Sequence, residues 1–316
     1  GNVDIRDYSH HIEVINSDIG GSAGTYTGYG IYLKNADDIR IENNYVHNVF
    51  TGISAFSGEN IVVSENYVDY VGSDFYKGGG LKNFEYVNNI GGGHFYPKPE
   101  YHMDFIQFQG SSSDGLIKGN VYLAQSSELA QGIFLDDATY TNIRIEQNIV
   151  YSGKNNAIYV SDGSGIEVYN NTLLSTVREG QKGAFIKLPS GSVKENNIST
   201  SYEGGFQGSN IIIQHQDPNG TNYYGDLFEN ALADFGYVTL EDLVPVPGSA
   251  ADGKGAYDRL MELLAGEAYV PAPAPESEPT SEPEPEPAPT SEPEAEPAPE
   301  PISMPAPKEG TVFSLT

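Results

Sequence analysis

Eight stretches of the chain line up on one asparagine. They read "IEVINSDIGG" (12–21), "IRIENNYVHN" (39–48), "IVVSENYVDY" (61–70), "FEYVNNIGGG" (84–93), "GLIKGNVYLA" (115–124), "IRIEQNIVYS" (143–152), "IEVYNNTLLS" (166–175) and "GSVKENNIST" (191–200). Each has alternating apolar residues, then Asn, then a second short apolar run. The aligned residues are Asn16, Asn44, Asn66, Asn89, Asn120, Asn148, Asn171 and Asn197, with "LFENALAD" (227–234) and Asn230 as a weaker ninth copy. A unit of twenty to thirty residues cannot bury an apolar face by itself. Stacked copies can, and period-two alternation without a helical pattern makes the stack a β solenoid.

A further strand precedes most copies: "GIYL" (30–33), "GISA" (52–55), "FIQF" (105–108), "GIFL" (132–135), "AIYV" (157–160), "AFIK" (184–187) and "IIIQ" (211–214). Successive strand residues face opposite sides. The second residues, Ile31, Ile53, Ile106, Ile133, Ile158, Phe185 and Ile212, are therefore expected inside. The third residues, Tyr32, Ser54, Gln107, Phe134, Tyr159, Ile186 and Ile213, are expected on one exposed sheet. Two or three strands per turn give an all-β parallel β-helix of eight or nine turns, roughly 40 Å long at the inter-strand spacing of a sheet. The asparagine row is assigned a structural role, since Asn tolerates left-handed corners and its amide can bond stacked backbone groups.

This solenoid is expected to span residues 1–250. In 251–270, "GAYDRLMELLAGE" (255–267) spaces Tyr257, Leu260, Met261 and Leu264 as a helix, read as a cap on the C-terminal end of the core. Residues 271–309 are a Pro/Glu-rich linker, with "TSEPEPEPAP" (280–289) nearly repeated at 290–299, too poor in apolar residues to fold. "GTVFSLT" (310–316) is read as the opening of another module. The chain begins with Gly1 and reads as strand almost at once, so any signal segment is expected upstream.

Charge narrows the functions. The net charge is −28, of which residues 271–316 carry −9. Such a surface disfavours nucleic acid, whose binding needs basic patches. There is no cysteine, which excludes thiol catalysis and thiolate metal sites, and no apolar run long enough to span a bilayer.

Titratable side chains crowd one place. "GGGHFYPKPEYHMDF" (91–105), in the longest interval among the eight clear copies, brings His94, Tyr96, Lys98, Glu100, Tyr101, His102 and Asp104. Upstream lie Asp74, Tyr76 and Lys77; downstream lie Asp136 and Asp137, and Gln131 stacks on Asp104. By alternation His102, Gln107 and Gln109 share the outward face, whereas Asp104 has core parity. An inward carboxylate needs hydrogen bonds. Asp104 is thus expected either to orient a His or Tyr or to be turned outward by a bulge. A His beside a carboxylate and tyrosines is equipment for proton transfer. Lys77 or Lys98 would neutralise a sugar carboxylate, and Asp136-Asp137 offer oxygen ligands for Ca²⁺. The alternative is a polar loop whose side chains satisfy backbone groups.

The Asn-marked turns and "HMDFIQ" (102–107) resemble the right-handed β-helix proteins of the pectate-lyase-like superfamily, nearest to the bacterial mannuronan C5-epimerases and alginate lyases. The resemblance covers about residues 1–230. It implies a secreted or cell-surface protein with an acidic polysaccharide partner and a saccharide groove on the exposed sheet, sometimes with Ca²⁺. It implies His102 as base or acid, Tyr101 or Tyr96 as counterpart, His94 as a further candidate and Asp104 as orienter. Gln107, Gln109, Phe134 and Tyr159 would line the groove. The D-P-H-E order of the epimerases is not matched, and the lyase Lys/Arg pair is not evident. Two other functions compete: a non-catalytic carbohydrate-binding or adhesive module, and a hydrolase pairing Asp104 with Asp136 or Asp137.

Overall fold

The repeats pair with one another, always in parallel. The computed structural model describes residues 2–24, 26–92, 103–123, 130–152, 154–175, 184–202, 208–214, 217–230 and 238–266. His94, Tyr96, Lys98, Tyr101 and His102, residues 271–309 and the segment 310–316 lie outside them. A first ladder stacks Val3–Arg6, Tyr29–Lys34, the start of Thr51–Ser64, the start of Tyr76–Val87, Met103–Gln109, Ala130–Asp136, Asn156–Val160 and Phe185–Lys187. A second stacks His10–Ile15, Asp37–Glu42, the ends of the same two long strands, Ser112–Lys118, Tyr140–Glu146, Gly163–Tyr169 and Val193–Glu195. A third ladder has nine strands, from Asp18–Gly20 to Ile211–Ile212. Eight turns place a strand in each of the three ladders, in line with the eight or nine expected. The last rungs of the third ladder, Ile198–Ser199 and Ile211–Ile212, have two residues each.

The asparagine row holds one corner, with its two expected roles divided between neighbouring residues. The left-handed backbone falls on the residue before: Asn43 (φ 53°), Glu65 (56°), Asn88 (57°), Gly119 (66°), Gln147 (57°), Asn170 (53°) and Asn196 (56°). The aligned asparagines are fully buried and form a ladder of their own. In Asn120, Oδ1 accepts from the backbone N–H and Nδ2 of Asn89 (2.9 and 3.0 Å), while Nδ2 donates to Tyr86 O (2.8 Å). The same pattern runs from Asn44 to Asn197 and ends on Asn210, whose Oδ1 accepts from Asn197. Two alignments are thereby corrected. Asn16 is exposed, has φ 51° and belongs to the left-handed row, bonded to Asn43; Ser17 takes the ladder position. Asn230 stands outside the ladder and donates to Glu241 O.

Apolar rows fill the interior. Ile31, Ile53, Ile106, Ile133 and Ile158 are buried as expected, and Tyr76 joins their row between Ile53 and Ile106. The row continues through Ile186 and not Phe185. Asn156 pairs with Phe185 but Ile158 pairs with Ile186, so Ala157 is an extra residue and the register slips by one. Ile213 likewise replaces Ile212 as the buried residue. Mid-rod, rings occupy space that glycines leave open. A Cβ on Gly115 would lie 2.1 Å from the Phe84 ring, which stacks on Phe108 at 4.9 Å.

The C-terminal helix, Tyr257–Leu264, runs along the flank and not over the end of the rod. Gly255 N–H bonds Asn196 O, Ala256 N–H bonds Thr172 Oγ1, and Arg259 Nε bonds Gly119 O at 3.0 Å, each step reaching an earlier turn. Arg259, Leu260 and Leu263 are buried by this packing. The core is continued past the last rungs by Tyr224, Leu227, Phe228, Val238 and Leu243 instead. Among the described residues no helix is long and apolar enough to cross a membrane.

Candidate functional site

The first ladder carries two files of polar side chains. One is the file that alternation places on the outer face: Tyr32, Ser54, Lys77, Gln107, Phe134, Tyr159 and, through the register slip, Lys187. Ile186 had been expected in that last position. The other file, three residues earlier in each strand, contains Asp74, Asp104, Gln131 and Asn156. It exists because alternation breaks at the strand start. Phe105 and Ile106 are both buried in the core, Phe105 stacking on Tyr122 at 5.2 Å, so Asp104 falls out of core parity.

The second file is a chain of hydrogen bonds. Lys77 Nζ donates to Asp74 Oδ2 at 2.9 Å, and Asp104 N–H donates to Asp74 Oδ1 at 3.1 Å. Gln131 Nε2 donates to Asp104 Oδ1 at 3.0 Å, and Asn156 Nδ2 donates to Gln131 Oε1. The stacking of Gln131 on Asp104 is as the sequence indicated. Asp74 and Asp104 are 1% and 0% exposed. Burial pushes the Asp74 carboxyl up to about 6; the Lys77 ammonium opposes this and the Asp104 carboxylate adds to it. Desolvation disfavours the charged form, which is the larger effect here.

The outer file supplies ligand-ready groups. Lys77 is partly exposed and commits one of its three N–H donors to Asp74. Ser54 and Gln107, one rung to either side, are buried, and Ser54 Oγ and Gln107 Oε1 have no hydrogen-bond partner among the described residues. Orphaned buried polar atoms are uncommon, and a bound ligand is one thing that satisfies them. Beyond them Phe134 and Tyr159 stack at 4.8 Å, with Lys187 Nζ 5.4 Å from the Tyr159 ring centre. On the other side Tyr32 contacts Tyr29 and Phe56, with the Arg6 guanidinium 4.7 Å over its ring. Gln109 is exposed one file further along, opposite Asp136.

Several expectations change. Tyr76 is a core residue, its hydroxyl within 2.9 Å of Asn66 O and Ile90 O, and is not part of the polar cluster. Asp136 lies five residues along the strand from the Asp104–Gln131 rung, roughly 17 Å at strand rise. Paired hydrolase carboxylates stand about 5 to 9.5 Å apart, so that pairing is removed. Among the described residues no group of three His, Asp or Glu converges to hold a metal; Asp137 sits at a turn with φ 56°. His47 is held by Asp18 (2.8 Å) and Asn48 and stacked on Tyr45, which suits a surface role. Asp217 closes a local turn with Asn219. Sequence reasoning missed Lys187 and gave Ser54 no role. The slip hid the first, and nothing local shows that the second is left without a partner.

A coiled parallel ribbon with a side-chain asparagine ladder and a polar file on its outer sheet defines a β-helix protein. A family model described as right-handed β-helix region matches residues 3–173, more than half of the chain, and the chain belongs to that family. No curated protein matches it. The fold is compatible with carbohydrate-active or carbohydrate-binding roles.

Proposed function

We propose that the protein binds and modifies an acidic polysaccharide on the outer face of the first ladder, abstracting the proton beside a uronate carboxylate. The observation that carries this reading is the run Ser54, Lys77 and Gln107 on three consecutive rungs: one cation flanked by two buried polar groups without protein partners among the described residues. Lys77 would take the sugar carboxylate, Ser54 and Gln107 its hydroxyls. Neutralising the carboxylate acidifies the adjacent C–H, the step that lyases and C5-epimerases share. His102, with Tyr101 or Tyr96, remains the proposed acid/base pair, His94 and Lys98 adjoining it. Ca²⁺ is a further proposal, tested by chelation. Export or cell-surface display belongs to the same reading.

The test is a panel of polyuronates, with and without Ca²⁺, followed by ultraviolet absorbance of unsaturated product and by uronate NMR. Activity is expected on at least one, abolished by His102→Ala and reduced at least tenfold by Lys77→Ala with the fold retained, since a lost charge-assisted contact costs that much or more. Binding without any product selects the second reading, a non-catalytic binding module, which the aromatic groups on both sides of the polar run favour.

A further inference from the structure

Lys187 reaches the outer file only because Ala157 is bulged out. Carried on from the Asn156–Phe185 pair without the bulge, the ladder would set Ile186 against Ala157 and Lys187 against Ile158, in the inward row. The slip instead pairs Lys187 with Tyr159 and sets its ammonium 5.4 Å from that ring. Bulges beside functional sites commonly re-aim a side chain in this way. The outer file then reads cation, amide, ring, ring, cation: Lys77, Gln107, Phe134, Tyr159, Lys187. Four rung spacings separate the two lysines, roughly 19 Å along the rod. The protein as a whole carries −28, and this file sets a cation at each end of an apolar shelf, Lys77 being ion-paired with Asp74.

We infer that Lys187 is a specificity-determining residue: it binds a second anionic group of the same glycan, so the site selects chains long enough to span from Lys77 to Lys187. The chain lies along the rod axis, across the strands. One carboxylate meets Lys77, the sugar rings between pass over Phe134 and Tyr159, and a later carboxylate meets Lys187. Asp136, on the next file at the Phe134 rung, opposes negative charge between the two lysines and so favours anionic groups at the two ends of the span. This inference rests on the reading of the site as a polyuronate groove.

The experiment is calorimetric binding of size-defined oligouronates, from dimer upward, to the full chain and to Lys187→Ala and Lys187→Gln variants whose thermal melts match the parent. For the parent, affinity is expected to rise with length and to level off once the oligomer covers the span. Both variants should bind the shortest oligomers as the parent does and lose about tenfold on the long ones, the size of one charge-assisted contact. Length dependence that is the same in parent and variants overturns the role of Lys187 and leaves the groove standing. No binding of any oligomer to the parent overturns the groove reading as well.

Discussion

Asp74 is a carboxyl group whose two oxygens are both occupied, by Lys77 and by the Asp104 N–H, yet burial still raises its pKa to about 6. An unfolded Asp titrates near 3.9. Between those values the folded state binds more protons than the unfolded one. The favourable contribution of protonated Asp74 is therefore complete below about pH 4 and is lost as pH rises to about 6. The stability of the parent relative to Asp74→Asn should fall across that window in denaturant titrations, and a flat difference would show that the carboxyl is not shifted. Ser54 is the complementary case. Its buried Oγ lacks a partner among the described residues, so Ser54→Ala should raise stability by about 1 kcal/mol while weakening saccharide binding. A variant that melts earlier than the parent would contradict this. Such a residue, worse for the fold than alanine, is the kind of local inconsistency expected where function has set the side chain.

The element that sets the rod is the asparagine ladder. Asn120→Ala removes two bonds accepted from Asn89 and two donated, to Tyr86 O and to Asn148 Oδ1, stranding buried backbone and amide groups. A loss of about 3 kcal/mol or more is expected. Asn230→Ala, at an exposed position outside the ladder, should cost under about 0.5 kcal/mol. Equal midpoints for the two would disprove the ladder's role. The contrast also marks what the sequence could reveal. Repetition exposed the ladder and the inward row through Ile158, because the same residue type recurs at the same phase. It misplaced Asn16 and Asn230, since an asparagine looks alike on the left-handed row, in the ladder or beyond it. It missed the slip at Ala157, where both registers bury an apolar residue, Phe185 or Ile186. It placed the helix over the rod's end because an amphipathic pattern names an apolar face without naming what lies against it; the buried Arg259, bonded to a carbonyl 140 residues away, decides that. For the candidate site, the pairing of Gln131 with Asp104 was legible from register, whereas Lys187 depended on the bulge.

At the scale of the molecule, a protein of charge −28 takes its proposed anionic partner through a few lysines. Contact with Lys77 and Lys187 acts over a few ångströms, whereas repulsion from the rest of the body acts over the Debye length, about 30 Å at 0.01 M salt and 8 Å at 0.15 M. Adding salt over that range should therefore speed association with a polyuronate, the reverse of ordinary steering between opposite charges. Stopped-flow association rates that fall with salt over this range would show that the lysine file, and not the whole surface, governs approach. The ladder has one more consequence. Within the ladder each asparagine bonds the asparagines one storey above and below, while the peptide joining them ranges from 22 to 31 residues over the run from Asn44 to Asn197. Pitch is thus independent of the length of chain wound between storeys. Foreign peptides could be grafted into those excursions, or a whole storey removed, and the remaining scaffold would close up on itself without change of step.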